Sequence, residues 1–183
     1  MKDTSEEKWI IAGLQALSSE GIGAVKVEAL ARQLGLTKGS FYHHFKNRGA
    51  LLERMLAFWK EHGTEALIQK AEQTKGAAER FDALLHAIFT PTPMDGTEAA
   101  VRAWAATDDM AAAVVASVDE RRIAYVRDLF AETGMDSHTA AARSEVLYRV
   151  VIGDFMWRSV GGTPLGTKEL EETSKLFLTP PAP

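Results

Sequence analysis

Between Leu36 and Arg48 the chain reads LTKGSFYHHFKNR, setting Tyr42, His43 and His44 among Lys38, Lys46 and Arg48. These groups make no nucleophilic or acid–base set. They are cations and hydrogen-bond donors packed beside a glycine, which suits a polyanion whose edges carry acceptors. A helix through this run, turning 100° per residue, puts Phe41 and Phe45 on one side. Gly39, Ser40 and His43 fall on the other, with Lys38 and Tyr42 at the edge. Gly39 lets a helix approach base edges closely, Lys38 can donate to guanine acceptors, and Tyr42 and the histidines can donate to phosphates. Thr37 supplies a hydroxyl cap, and the free N–H groups at that helix end suit a backbone phosphate. Lys46 and Arg48 extend the cationic set. An amphipathic connector with exposed charge is the plainer reading. It explains the charge but not the agreement of cap, turn, inward pair and outward set.

The elements that must hold this run in place are helical. Trp9, Ile10, Gly13, Leu14 and Leu17 form one apolar stripe, with Thr4 and Glu7 spaced as a capping box and Gly21 and Gly23 as stops. Val27, Leu30, Ala31 and Leu34 mark a two-turn helix that Gly35 ends, because a tight turn favours a residue free to take positive φ. The pair of short helices joined at Gly35 reads as a helix-turn-helix. Asn47 can cap a fourth helix bearing Leu51, Leu52, Met55, Leu56 and Trp59 and running to about residue 73. Further helices are expected near 77–89, 97–106, 110–132, 137–160 and 167–178, separated by TPTPMDG, ETGMDS and GGTPLG. No stretch alternates with period two, and the closing TPPAP reads as a frayed tail.

At 183 residues and 46% hydrophobic, the chain can bury a real core. With no cysteine, disulfides, Cys-ligated zinc and Cys nucleophiles are excluded. The acidic start lacks an apolar signal region, and the run Met110 to Val118 is too short to span a membrane, so a cytoplasmic protein is expected. The net charge of −4 conceals a division: residues 1–60 carry +3 and the remainder −7. A local basic surface is enough to meet phosphates, and an acidic remainder discourages indiscriminate sticking. His62, His86 and His138 are scattered, and no HExxH, GxSxG, phosphate-loop or dinucleotide fingerprint appears. Neither an enzyme, a metal site nor a cofactor is expected, and Asp108–Asp109 reads as a helix cap. A helical interaction module with no DNA role stays open.

The stretch AVKVEALARQLGLTKGSFYHHFKNRGALLERML, above all GLTKGSFYHHFKNR followed by Leu51 and Leu52, resembles the TetR family of bacterial transcription regulators over about 10–58. The resemblance implies an all-α protein: an N-terminal three-helix helix-turn-helix domain over 1–48 and a C-terminal helical ligand-binding and dimerisation domain over 49–183. Helix 4, about 48–73, would connect them. It implies a homodimer on a palindromic double-stranded operator, usually a repressor released by a small organic effector. DNA contacts would come from Lys38, Gly39, Ser40, Tyr42, His43 and His44, with Thr37, Lys46 and Arg48 in support. One departure is plain. Many relatives open the second helix with a hydroxyl residue that can touch phosphate, and here Lys26 and Val27 stand there. Either some phosphate contacts are missing or Lys26 replaces them, and Glu28 sits badly near a phosphate unless it turns away.

For the dimer, relatives commonly pack their last two long helices, here about 137–160 and 167–178. Val146, Leu147, Val150 and Val151 with the small residues Ala140, Ala141, Ala142 and Gly153 fit such packing, although periodicity alone fits intramolecular core equally. A pool of His86, Phe89, Arg102, Trp104, Met110, Tyr125, Tyr148, Phe155 and Trp157 mixes apolar bulk with polar tips, as ligand pockets between helices do. Each of these is also an ordinary core residue type. Trp104 beside Arg102 and Asp108 is the most suggestive group.

Overall fold

The computed structural model describes residues 5–90, 92 and 96–179. Thr4 of the expected capping box, most of the TPTPMDG break and the last four residues lie outside them. The described residues are helical, with no strand among them. The elements are α1 (Ser5–Glu20), a 3-10 turn (Ile22–Ala24), α2 (Val27–Leu34), α3 (Lys38–His44), α4 (Arg48–Lys60), a π turn (Glu61–Glu65) and α5 (Ala66–Ala71). They continue with α6 (Ala77–Phe89), α7 (Thr97–Ala105), α8 (Asp109–Glu132), α9 (Ser137–Ser159) and α10 (Thr167–Leu178). No helix of the described residues is long and apolar enough to cross a membrane.

The chain divides into two compact units, residues 1–61 with 96–115 and residues 62–95 with 116–183. The first unit takes in α4 and α7 along with the three N-terminal helices. α1 packs on α2, α4 and α7, so α4 and α7 share one core with the helix-turn-helix. Trp9, Leu14, Phe41, Leu51, Met55 and Val101 are fully buried there. Gly13 makes the close α1–α4 approach feasible, since a Cβ at that position would come within 2.6 Å of Met55 Sδ. A polar cluster lies inside the apolar packing. Glu98 on α7 accepts from Trp59 Nε1 at 3.1 Å and from Arg102 Nε at 2.8 Å, and its carboxylate is almost wholly buried.

In the second unit α5 pairs with α6 and α10 covers α6. Its core centres on Phe81, Leu85, Leu129, Phe130 and Ala140, with Phe81 and Phe130 rings 5.1 Å apart and Phe177 stacked on Phe130 at 6.4 Å. Gly134, at φ 89°, turns the chain before α9, whose first turn Asp136 caps by accepting from the N–H groups of His138 and Thr139. Arg80 clamps this unit, pairing with Glu72 at 3.0 Å and with Glu132.

The fourth helix is not the single rod expected to about residue 73. It widens into the π turn at Glu61–Glu65 before resuming as α5. Gly63 and Thr64 are weak helix formers. Arg122 of α8 holds their turn, donating from Nε to Thr64 Oγ1 at 2.9 Å and from Nη2 to the Gly63 carbonyl at 3.2 Å.

Candidate nucleic-acid interface

The recognition element is built from local rules. Gly35 takes the left-handed conformation, φ 66°, and closes α2 by donating its N–H to Arg32. Two residues on, Thr37 is extended and its Oγ1 accepts from Ser40 N at 3.2 Å, starting α3. Asn47 does the same for α4, its Oδ1 accepting from Ala50 N at 2.9 Å. Phe41 and Phe45 point inward and are buried, and the Phe41 ring meets Trp9 edge-on at 5.3 Å. That anchoring leaves the opposite face open. Lys38, Gly39, Tyr42 and His43 are exposed, Tyr42 to 60%, while Ser40 and His44 are half-buried. Lys26, Thr37 and Lys46 are exposed around it, so all of the expected contacts are exposed or half-buried positions of one N-terminal segment, although Thr37 Oγ1 is engaged in the α3 cap.

Arg48 is engaged within the protein as well. Its Nε donates to the Val25 carbonyl at 2.6 Å and its Nη2 to the Ile22 carbonyl at 2.8 Å, fastening the turn before α2 to the start of α4. Lys26 is the N-cap residue of α2 and makes no side-chain cap hydrogen bond. Glu28 stays in the first turn of α2, where its carboxylate also accepts from its own backbone N–H, and its Oε1 lies 2.6 Å from Lys38 Nζ. That ion pair holds the Glu28 carboxyl below the usual carboxylate range, chiefly through the hydrogen bond from Lys38. Sequence reasoning saw both residues but not their pairing, for which α2 and α3 had to be placed.

In the second unit a cavity of about 60 Å³ lies among α5, α6, α8, α9 and the π turn. Leu67, Ile68, Phe81, Leu84, Leu85 and Ile88 form one side, with Val126, Leu147 and Val151 opposite. Of the pool named from sequence, Tyr125, Tyr148 and Phe155 line it. Arg102, Trp104 and Met110 do not: they belong to the first unit, where Arg102 pairs with Glu98 and Trp104 is core. Phe89 is buried in the second unit's core outside the cavity lining, with the Arg158 guanidinium 5.9 Å from its ring. His86 lies instead on a separate groove of about 220 Å³ beside Asp82, Leu170 and Ser174. Trp157 is 62% exposed on α9. The polar groups around the cavity are engaged within the protein. Tyr125 donates to Glu72 at 2.6 Å, Tyr148 to Asp119 at 2.5 Å, and Arg122 to the π turn. Burial, and then the neighbouring Glu72 carboxylate, push the Tyr125 hydroxyl above its usual range. No group of three or more potential metal ligands occurs among the described residues.

Residues 10–55 match the family described as bacterial regulatory proteins, tetR family. The segment is a TetR-family domain. Solved structures of the same fold cover nearly the whole chain. The reduced form of Escherichia coli NemR is 16% identical with TM-score 0.76, over 98% of this chain and all of that one. A TetR transcriptional regulator from Legionella pneumophila is 14% identical with TM-score 0.75, over 95% of each chain. A transcriptional regulator from Rhodococcus sp. Rha1 is 17% identical with TM-score 0.73, over 96% and 94%. At such identities these likenesses establish the all-α fold. No curated protein sequence matches the chain. The TetR-family domain, with α3 facing outward, makes the chain a DNA-binding regulator of transcription.

Proposed function

We propose that this TetR-family chain is a repressor that binds a palindromic operator as a homodimer and leaves it when a small organic molecule occupies the second unit. The observation that carries the reading is the exposed face of α3, raised on two buried phenyl rings and ringed by Lys26, Lys38 and Lys46. On this reading residues 1–48 read DNA, α4 connects, and residues 49–183 bind ligand and partner. Lys38, Gly39, Ser40, Tyr42, His43 and His44 enter the major groove, and Thr37, Lys26 and Lys46 meet phosphates. Arg48 contributes mainly by bracing the turn that presents them. Binding rather than catalysis is the activity, and it takes place in the cytoplasm with the chromosomal DNA.

An unpartnered apolar stripe supports the second copy. Val146, Val150 and Trp157 recur along one face of α9 and Val160 follows at its C-terminal cap, at exposures of 44–80%, and Leu176 on α10 is 71% exposed. A monomer gains nothing from such a face, whereas an isologous contact of two α9–α10 pairs covers it. The cavity supports the effector. Its walls are apolar and its nearby polar groups are engaged, so a charged guest would be left uncompensated and an uncharged apolar one would not.

Selection of bound fragments from random duplex DNA tests the reading directly. The expected product is a two-half-site palindrome whose affinity falls steeply with salt. A helical interaction module would retain no duplex at any ionic strength, and that result would overturn the proposal.

A further inference from the structure

Glu28 is the sole acidic residue between Gly21 and Leu52, in a segment carrying Lys26, Arg32, Lys38, Lys46 and Arg48. It stands in the first turn of α2 and reaches across to Lys38, the first residue of α3, at 2.6 Å. Both side chains are mostly exposed, 60% and 57%, so water screens the pair and it adds next to nothing to folding. Its place is at the N-terminal end of α3, from which base edges and phosphates would be met. A carboxylate there repels every phosphate equally and occupies the one recognition-helix lysine that could neutralise it.

We propose that Glu28 is a positioning residue for sequence discrimination, holding Lys38 off the phosphate backbone so that only a site offering base-edge acceptors draws it away. The inference rests on the DNA-binding reading above. Any duplex offers phosphates, and contacts to them carry no sequence information. With Lys38 tied to Glu28, random DNA loses one phosphate contact and also meets a negative charge. An operator with guanine acceptors in register supplies Lys38 with a replacement for the carboxylate, and binding there is penalised less. The pair thus lowers affinity everywhere and lowers it most where sequence is wrong.

Glu28→Gln keeps the shape and removes the charge, and an exposed substitution of this kind leaves the helical circular dichroism unchanged. Fluorescence anisotropy against the selected operator and a scrambled duplex, across a potassium chloride series, reads the effect. The expected result is about a tenfold rise in scrambled-duplex affinity and a smaller rise for the operator. The slope of log K against log salt should steepen by about one on the scrambled duplex as Lys38 takes a phosphate. Glu28→Asp should restore most of the discrimination, and Lys38→Gln should cancel the effect of Glu28→Gln. Unchanged slope and unchanged discrimination would overturn the inference. So would weaker operator binding confined to one base position, which would mean that the carboxylate accepts from a cytosine amine itself. A wild-type chain that retains no duplex removes the parent reading and this inference together.

Discussion

Phe41 and Tyr42 are neighbours in sequence with opposite duties, because a helix turns 100° between them. Phe41 is fully buried against Trp9 and Phe45, while the Tyr42 ring stands largely in solvent. Phe41→Ala is expected to destabilise the first unit by about 3–5 kcal/mol, the range for truncating a buried aromatic, and a thermal melt reads it. Tyr42→Ala should leave that melt within about 0.5 kcal/mol of wild type, as exposed substitutions do. Its effect belongs to binding instead: losing a donor to a charged phosphate should weaken the operator complex roughly tenfold or more, measured by anisotropy. A shared loss of stability in both variants would put Tyr42 in the core and end its assignment to the interface.

Among the elements, the join of α4 to α7 is the least expected from sequence. Glu98 places a carboxylate between Trp59 and Arg102 with almost no exposure. Glu98→Ala is expected to cost about 1–3 kcal/mol, since it removes the buried acceptor of two hydrogen bonds. Denaturant unfolding measures this, and a midpoint equal to wild type would show that water serves both groups. The start of α9 makes a pH prediction. Hydrogen bonds from Thr139, and secondarily from the His138 N–H, hold the Asp136 carboxyl below its ordinary value. A carboxyl whose folded pKa is depressed contributes its full stabilisation above the unfolded pKa and loses it as pH falls through the folded one. Asp136→Asn keeps a capping side chain without the titration, so its melting temperature should fall less than that of wild type between pH 5 and about pH 3. Parallel curves would show that the cap carries no linkage.

For the molecule as a whole, charge and apolar surface are segregated along the chain. Residues 1–60 are net basic, the rest is net acidic, and the exposed apolar stripe lies on α9 and α10 near the C-terminal end. None of the stripe's residues is among those proposed to meet DNA. Val150→Asp puts a charge on that stripe at a position 44% exposed, where the isolated fold has no need of the valine. Sedimentation should then report the single-chain mass of 20.0 kDa where wild type gives about twice that, with helicity retained. Operator affinity should fall in parallel, because two half-sites are no longer bound as a unit. A wild-type chain that already sediments as a monomer at micromolar concentration would refute the dimer.

The sequence by itself determined what depends on neighbours a few residues apart. Thr37 and Asn47 cap the helices they precede, Gly35 turns left-handed, and Phe41 and Phe45 share the inward face, because one helical turn fixes each of these. Most helix limits followed from the same local chemistry. Only tertiary structure decided which distant groups meet. Glu28 with Lys38, Arg48 with the carbonyls of Ile22 and Val25, Trp59 with Glu98, and Arg122 with the π turn are all pairings across helices. Of the residue pool offered for a ligand, Tyr125, Tyr148 and Phe155 reached the cavity, while Arg102 and Trp104 went to another core. Apolar periodicity tells which face of a helix is buried but not against what, since that is set by how the helices pack.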